Sequence, residues 1–343
     1  MTTLAAESEV ASEVASDVAS SSAQFQPAWL SWVGAVTGCL KALGVECDTA
    51  DVAGQSGYAF RIHVHRQLCP SGPTNFAWAW LLDCVHRLGR STLMYFAPVC
   101  HSVQHRNDQT RAHCAAALEI ARCELAAGRP CVINGAYVPE FAIVTAVEGD
   151  SYRVDTFKRC RNEPQPPVRF DQIEAPGGPY VLGFPAAMTP PQSADRDAIA
   201  DAVRIMSADP LEEDWGVGAS AFDVWSRSLE NNEAATFGNA YNAQCWAEAR
   251  RLAERFVARV AERNENVPPL RLAHAALKRS ADALADVAEL FPFPGKAEDL
   301  SDSARRQAAE RLRAAKAADA DALTLLRDAM KSWKGLERAA RDA

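Results

Sequence analysis

The sequence predicts an α+β domain followed by an all-α domain. Three observations carry this. Apolar runs with helical spacing, each closed by a glycine, come first. Short β-rich runs cut by turn signals follow. From about Ser193 onward every strong pattern has helical spacing. Helices, then a run of strands, is the order of an α+β fold with an antiparallel sheet.

Residues 7–23 contain the unit Glu/Asp-Val-Ala-Ser three times, at 9–12, 13–16 and 17–20. Its period places Val10, Val14 and Val18 on one weak helical stripe. The segment has four acids, no base and no aromatic. Such a composition buries too little to offset chain entropy, so residues 1–24 read as a disordered acidic tail.

Residues 25–190 form the expected α+β domain. "PAWLSWVGAVTGCLKALG" reads as a helix ended by Gly44. "TNFAWAWLLDCVHRLG" reads as a second, ended by Gly89, and "RAHCAAALEIARCELAAG" as a third, ended by Gly128. The period then shortens. Turn signals at Asn134-Gly135 and Gly149-Asp150 divide the strands, the second joining Phe141–Val147 to Tyr152–Phe157 as a hairpin. "PGGPYVLGF" adds one strand. Pro190-Pro191 reads as the linker.

Residues 191–343 read as four or five helices. Trp246, Ala249, Ala253, Phe256, Val257 and Val260 form one stripe. Leu270, Leu277, Ala281, Leu284 and Phe291 form another, and Ala308, Leu312, Ala315, Ala322, Leu326, Met330 and Trp333 a third. Charged residues fill the opposite faces, as on the helices of a bundle. "NENVPP" and "FPFPGKAEDLSDS" are the breaks between them.

Of the 343 residues, 48% are hydrophobic and 23% charged, ordinary values for a globular chain. A net charge of -8 argues against a grip on nucleic-acid phosphates. No apolar run is long enough for a membrane span. No Lys or Arg precedes Lys41, so the start lacks the basic segment of a secretory signal. Ten cysteines in such a chain read as reduced thiols in a cytoplasmic protein.

Chemistry-bearing motifs are sparse. Cys100, His101, His105, His113, Cys114 and Cys123 are clustered in sequence, but their spacing suits no zinc site and there is no Cys-x-x-Cys. His63 and His65 share one face of a strand with no third ligand evident, and read as a packed or solvated pair. No metal is expected. Glycine-rich phosphate loops and the Gly-x-Ser-x-Gly elbow are both missing, so no nucleotide or other cofactor is expected. Among the cysteines, Cys39 and Cys84 lie within apolar helices. Cys69 lies in the loop "LCPSGPTNF", more exposed, and is a candidate nucleophile. The loop has a second reading. Pro70 and Pro73 each restrict a φ angle, Gly72 permits a tight bend, and Thr74 or Asn75 can cap a helix starting near Phe76. It is then a rigid connector, with Cys69 held extended before Pro70 and away from a helix N-terminus.

Five pieces occur in an order that resembles the papain-like cysteine peptidase superfamily. They are "SWVGAVTGCLKALG", "AGQSGYAFRI", "CPSGPTNF", "VPEFAIV" and "YRVDTF", spread over residues 25–185. The order is most similar to the butirosin biosynthesis protein H N-terminal domain family. The helical part, through "YNAQCWAEARRLAERF" and "ELFPFP", resembles the uncharacterised C-terminal regions of proteins sharing that domain. The resemblance implies a papain-like domain of N-terminal helices plus an antiparallel sheet. It places the nucleophile slot at Ser31, 13 residues before Gly44, the base slot at Glu140 and the third position at Asp155. Only Asp155 has the expected type. It also implies an oxyanion-hole amide near Gln24 and Gln26, and ligand contacts at Gln26, at Gln55 and Tyr58, and at Cys69 and Ser71.

A serine hydroxyl needs a base beside it, and an ordinary Glu, with a pKa of about 4.3, is a weak one at neutral pH. Two readings follow. In one, the old cleft binds a small molecule, a peptide or an acyl group on a carrier protein, and the helical domain forms one wall. Glu140 then contacts the ligand, for example an amine, or pairs with Arg61 or Arg153. In the other, an active acyl or aminoacyl transferase or amidase of natural-product biosynthesis uses Ser31 with Glu140, or a cysteine such as Cys69. A homo-oligomer is compatible with either.

Overall fold

The computed structural model describes residues 19–76, 78–210 and 213–342. The stripe of Val10, Val14 and Val18 lies outside them. Residues 19–24, assigned to the tail by composition, lie against the sheet: Ser20 bridges Ala146, and the Ser21 N–H donates to the Thr145 carbonyl at 2.8 Å. Ala23 and Phe25 are buried.

Helix α1 (Ser31–Ala42) is the central helix of the first half, buried from Ser31 to Leu40. It ends as expected, with Gly44 at φ +78°. Gly34 and Gly38 let the chain at 24–26 cross close by. A Cβ there would lie 2.5 Å from the Gln26 carbonyl oxygen and 2.2 Å from that of Gln24. Helix α2 (Thr49–Gln55) opens with a capping box between Asp48 and Asp51. Strand β1 (His63–His65) follows, and both histidine rings pack on Trp215.

"TNFAWAWLLDCVHRLG" is not one helix. It contains a 3-10 turn at Trp78–Leu81 and the short helix α3 (Asp83–Arg87). Its aromatic residues are drawn to different partners. Phe76 and Trp78 pack against Tyr58, and Trp78 also meets Phe141. Trp80 lies outside, beneath the guanidinium groups of Arg61 and Arg204. One helical face cannot satisfy both demands.

Strand β2 (Leu93–Phe96) precedes helix α4 (Asp108–Ala126), which is capped by Asn107 and Thr110. Then come β3 (Cys131–Asn134), β4 (Phe141–Glu148), β5 (Ser151–Asp155), β6 (Val168–Arg169) and β7 (Tyr180–Gly183). They form an antiparallel sheet in the order β2-β7-β3-β4-β5-β6. The hairpin across Gly149-Asp150 pairs Glu148 with Ser151 and Ile143 with Asp155.

This sheet is covered on both faces, so its central strands read as continuous apolar runs. Val132, Phe141, Ile143, Tyr180 and Leu182 face the core that holds α1. Their alternating neighbours Cys131, Ile133, Ala142, Val144 and Val181 face a second core with α4 residues.

The second half has helices α5 (Ala194–Met206), α6 (Ala219–Glu230), α7 (Thr236–Arg263), α8 (Pro269–Leu290) and α9 (Asp302–Asp342). It also holds an unanticipated strand, β8 (Trp215–Val217), paired antiparallel with β1. The apolar core is continuous across Pro190-Pro191, running from Ala23 to Ala329. The Phe256 ring of α7 fills the space over Gly54 of α2, where a Cβ would come within 2.0 Å. Buried Arg250 of α7 donates to the carbonyls of Ala59 and Arg61, and its guanidinium pairs with Asp319 of α9 at 2.6 Å. Among the described residues no helix is long and apolar enough to cross a membrane.

Candidate functional site

The N-terminus of α1 opens into a cavity of about 790 Å³. Ser31, Cys69, Ser71 and Glu140 all line it, so four of the eight sequence-derived site residues meet there. Ser31 is the first residue of α1, and Glu140 immediately precedes β4.

The contacts between them are direct. The Ser31 hydroxyl donates to Glu140 Oε2 and accepts the Phe141 N–H at 3.1 Å. The Tyr241 hydroxyl of α7 donates to Glu140 Oε1. Glu140 pairs with neither basic residue considered from sequence: Arg153 bonds Glu148, and the Arg61 guanidinium stacks on Phe76. Burial pushes the Glu140 carboxyl above its ordinary range, opposed in part by the two hydroxyl donors.

Asp155 does not join this pair. It accepts the Phe25 N–H at 2.9 Å and the Gln165 Nε2 amide at 3.0 Å, with Arg159 at 3.5 Å. These bonds hold the chain at residue 25 to the end of β5. They orient no base.

A second carboxylate faces the cavity. Glu248 Oε2 of α7 accepts the Leu30 N–H at 2.9 Å. Leu30 is the N-cap residue of α1 and has no side-chain cap of its own. Glu248 therefore supplies, from another helix, an acceptor and a negative charge at the positive end of α1. Burial still dominates and pushes its carboxyl up to about 7.

The rest of the wall is mostly apolar. Phe293 touches three rings, with centroids at 5.2 Å to Trp29, 5.4 Å to Phe237 and 6.2 Å to Tyr241. Arg161 also lines the cavity, its guanidinium over Phe157 and Phe293. No histidine is found among the described residues that line the cavity.

The loop carrying Cys69 is a docked connector. Leu68 has φ +54°, Asn242 of α7 donates to the Cys69 carbonyl at 3.0 Å, and Tyr58 donates to the Pro73 carbonyl at 2.5 Å. Gly238 of α7 lies so near that a Cβ would be 1.8 Å from the Leu68 carbonyl oxygen. Neither Thr74 nor Asn75 caps a helix here, since the loop ends in the 3-10 turn Gly72–Thr74. Cys69 Sγ lies 3.1 Å from Ser71 Oγ.

Three expected ligand contacts lie elsewhere. Tyr58 is buried and holds the loop from behind. Gln55 is buried at the end of α2, where its carbonyl accepts from Arg87 at 2.7 Å. Gln26 donates to the Gln24 carbonyl at 3.0 Å and accepts from Lys41 at 3.4 Å. The cavity residues missed from sequence include Phe237, Tyr241 and Glu248 of α7, together with Trp29 and Phe293. The signal present was spacing: Phe237, Tyr241, Cys245 and Glu248 follow at helical intervals on one side of α7.

All ten cysteines are free thiols. Among the described residues, no group of three or more His, Cys, Asp or Glu side chains could hold a metal ion. No family model matches the chain, and no curated protein matches it.

Proposed function

We propose that this chain is a papain-like protein of natural-product biosynthesis that binds a ligand in its former catalytic cleft and performs no thiol chemistry. The ligand is a small molecule, a peptide or an acyl group on a carrier protein. The resemblance in the order of five sequence pieces supports the fold family. One observation carries the binding reading: the nucleophile and base slots hold Ser31 and Glu140, hydrogen-bonded to each other and to Tyr241 at the wall of a cavity lined by no histidine. A cysteine nucleophile needs an imidazole or similar group to hold its thiolate. Cys69 has a serine hydroxyl beside it instead. Free thiols throughout fit a reducing, cytoplasmic setting.

One contact favours a second reading. Ser31 donates to a carboxyl whose pKa burial raises, which is the direction that makes a Glu a better base near neutrality. Serine-type acyl transfer would use that pair.

Two labelling reactions decide between them. With an iodoacetamide probe, binding without thiol catalysis gives slow modification scattered over the exposed Cys123 and Cys160 and the half-buried thiols. Fast labelling confined to Cys69 overturns it. With an activated acyl thioester, mass gain at Ser31 that is lost in Ser31→Ala establishes the transfer reading, and no gain at Ser31 removes it.

A further inference from the structure

The charged residues lining the cavity are Glu140, Glu248 and Arg161. Among the described residues, no Lys or Arg forms an ion pair with either glutamate. Glu140 is held by two hydroxyls, and Glu248 accepts the N–H of Leu30. The Arg161 guanidinium lies over the Phe157 and Phe293 rings and 3.9 Å from Glu163. Two carboxylates therefore border an apolar space with no ion-pair partner, Arg251 acting on Glu248 only through its field.

An anionic ligand is poorly served here. The N-terminus of α1 would be its natural seat, but Glu248 already occupies the Leu30 N–H. A neutral ligand leaves the two carboxyls either ionised without a counter-charge or held protonated by burial, with no charge to recognise. A cation reverses both penalties. Trp29 and Tyr241 add ring faces to which a cation is attracted.

We propose that the ligand carries a cationic amine, seated between the Glu140 and Glu248 carboxylates and the Trp29 and Tyr241 rings, with its apolar part along Phe237, Phe293 and Val138. The proposal rests on the reading of this cavity as a ligand site. It names the ligand's chemical class.

A matched set of probes tests it on the full chain: 4-phenylbutylamine, 4-phenylbutanol and 4-phenylbutyrate, by ligand-observed NMR titration at neutral pH. The amine should bind more tightly than the alcohol by about tenfold or more, and the acid should bind most weakly. The double variant Glu140→Gln with Glu248→Gln, checked for folding by circular dichroism, should bring amine and alcohol within about threefold of each other. Phe293→Ala should weaken all three probes together. Equal binding of amine and alcohol by the native chain, or preference for the acid, overturns the amine assignment and leaves a ligand cavity. A preference that survives the double variant also overturns it. If none of the three binds, the cavity reading itself fails, and the amine assignment with it.

Discussion

Glu248 places a carboxyl at the positive end of α1, yet burial raises its pKa to about 7 from the ordinary 4.5. The folded state then holds a proton that the unfolded chain releases between those two values. Proton linkage sets the sign: stability is greatest below the lower value and falls as pH rises through the window, by roughly 2–3 kcal/mol. Urea midpoints taken at pH 5 and pH 8 should show that decline in the native chain, and Glu248→Gln should flatten it. An unchanged slope in the variant would assign the decline to other groups. Tyr241→Phe removes one of the two hydroxyls on Glu140 and should lower stability by about 1–2 kcal/mol, read by thermal unfolding. At this scale the resemblance in the order of five sequence pieces pointed to Ser31 and Glu140, which both line the cavity. It did not locate Tyr241 or Glu248. Their contacts span 101 and 218 residues of chain, and no local pattern encodes a pairing at that distance.

Among the elements, α1, α4 and the hairpin across Gly149-Asp150 match expectation closely. Each is written in short-range terms: an apolar period, a closing glycine, a turn pair. The segment after the Cys69 loop does not match, because its alternate aromatics serve two environments and propensity yields to them. The loop itself is held by α7. Substituting Gly238→Ala pushes a methyl group into the Leu68 carbonyl, 1.8 Å from the Cβ position, so backbone must move. The expected cost is about 3 kcal/mol in stability, of the order seen for overpacking. A faster alkylation of Cys69 should accompany it. Stability lost with no change at Cys69 would mean that α7 yields and the loop does not.

For the molecule as a whole, composition and the proline pair place a domain boundary near residue 190. One core runs across it, through Phe256 over Gly54, β1 with β8, and Arg250 bridging α7, α9 and the carbonyls near residue 60. Cutting the chain after Pro190 should therefore leave residues 19–190 without a cooperative unfolding transition, since it uncovers α2 and removes the cavity wall that α7 forms. A sharp near-ultraviolet dichroism melt of that fragment would show that it folds alone. Within the full chain, Arg250→Ala should cost about 3–5 kcal/mol, because Asp319 is left as an uncompensated buried charge.

The sequence by itself determined the kinds of element, most of their ends and the antiparallel sheet. Those follow from hydrophobic period and from backbone preferences of single residues, which act over a few positions. Only the tertiary structure decided that Asp155 binds the chain at Phe25, that Tyr58 supports the loop from behind, and that α7 brings Tyr241 and Glu248 to face Ser31 and Glu140. These depend on how α7 packs on α2 and meets the N-terminus of α1, which is set by the fit of side chains such as Phe256 into the space left by a distant glycine.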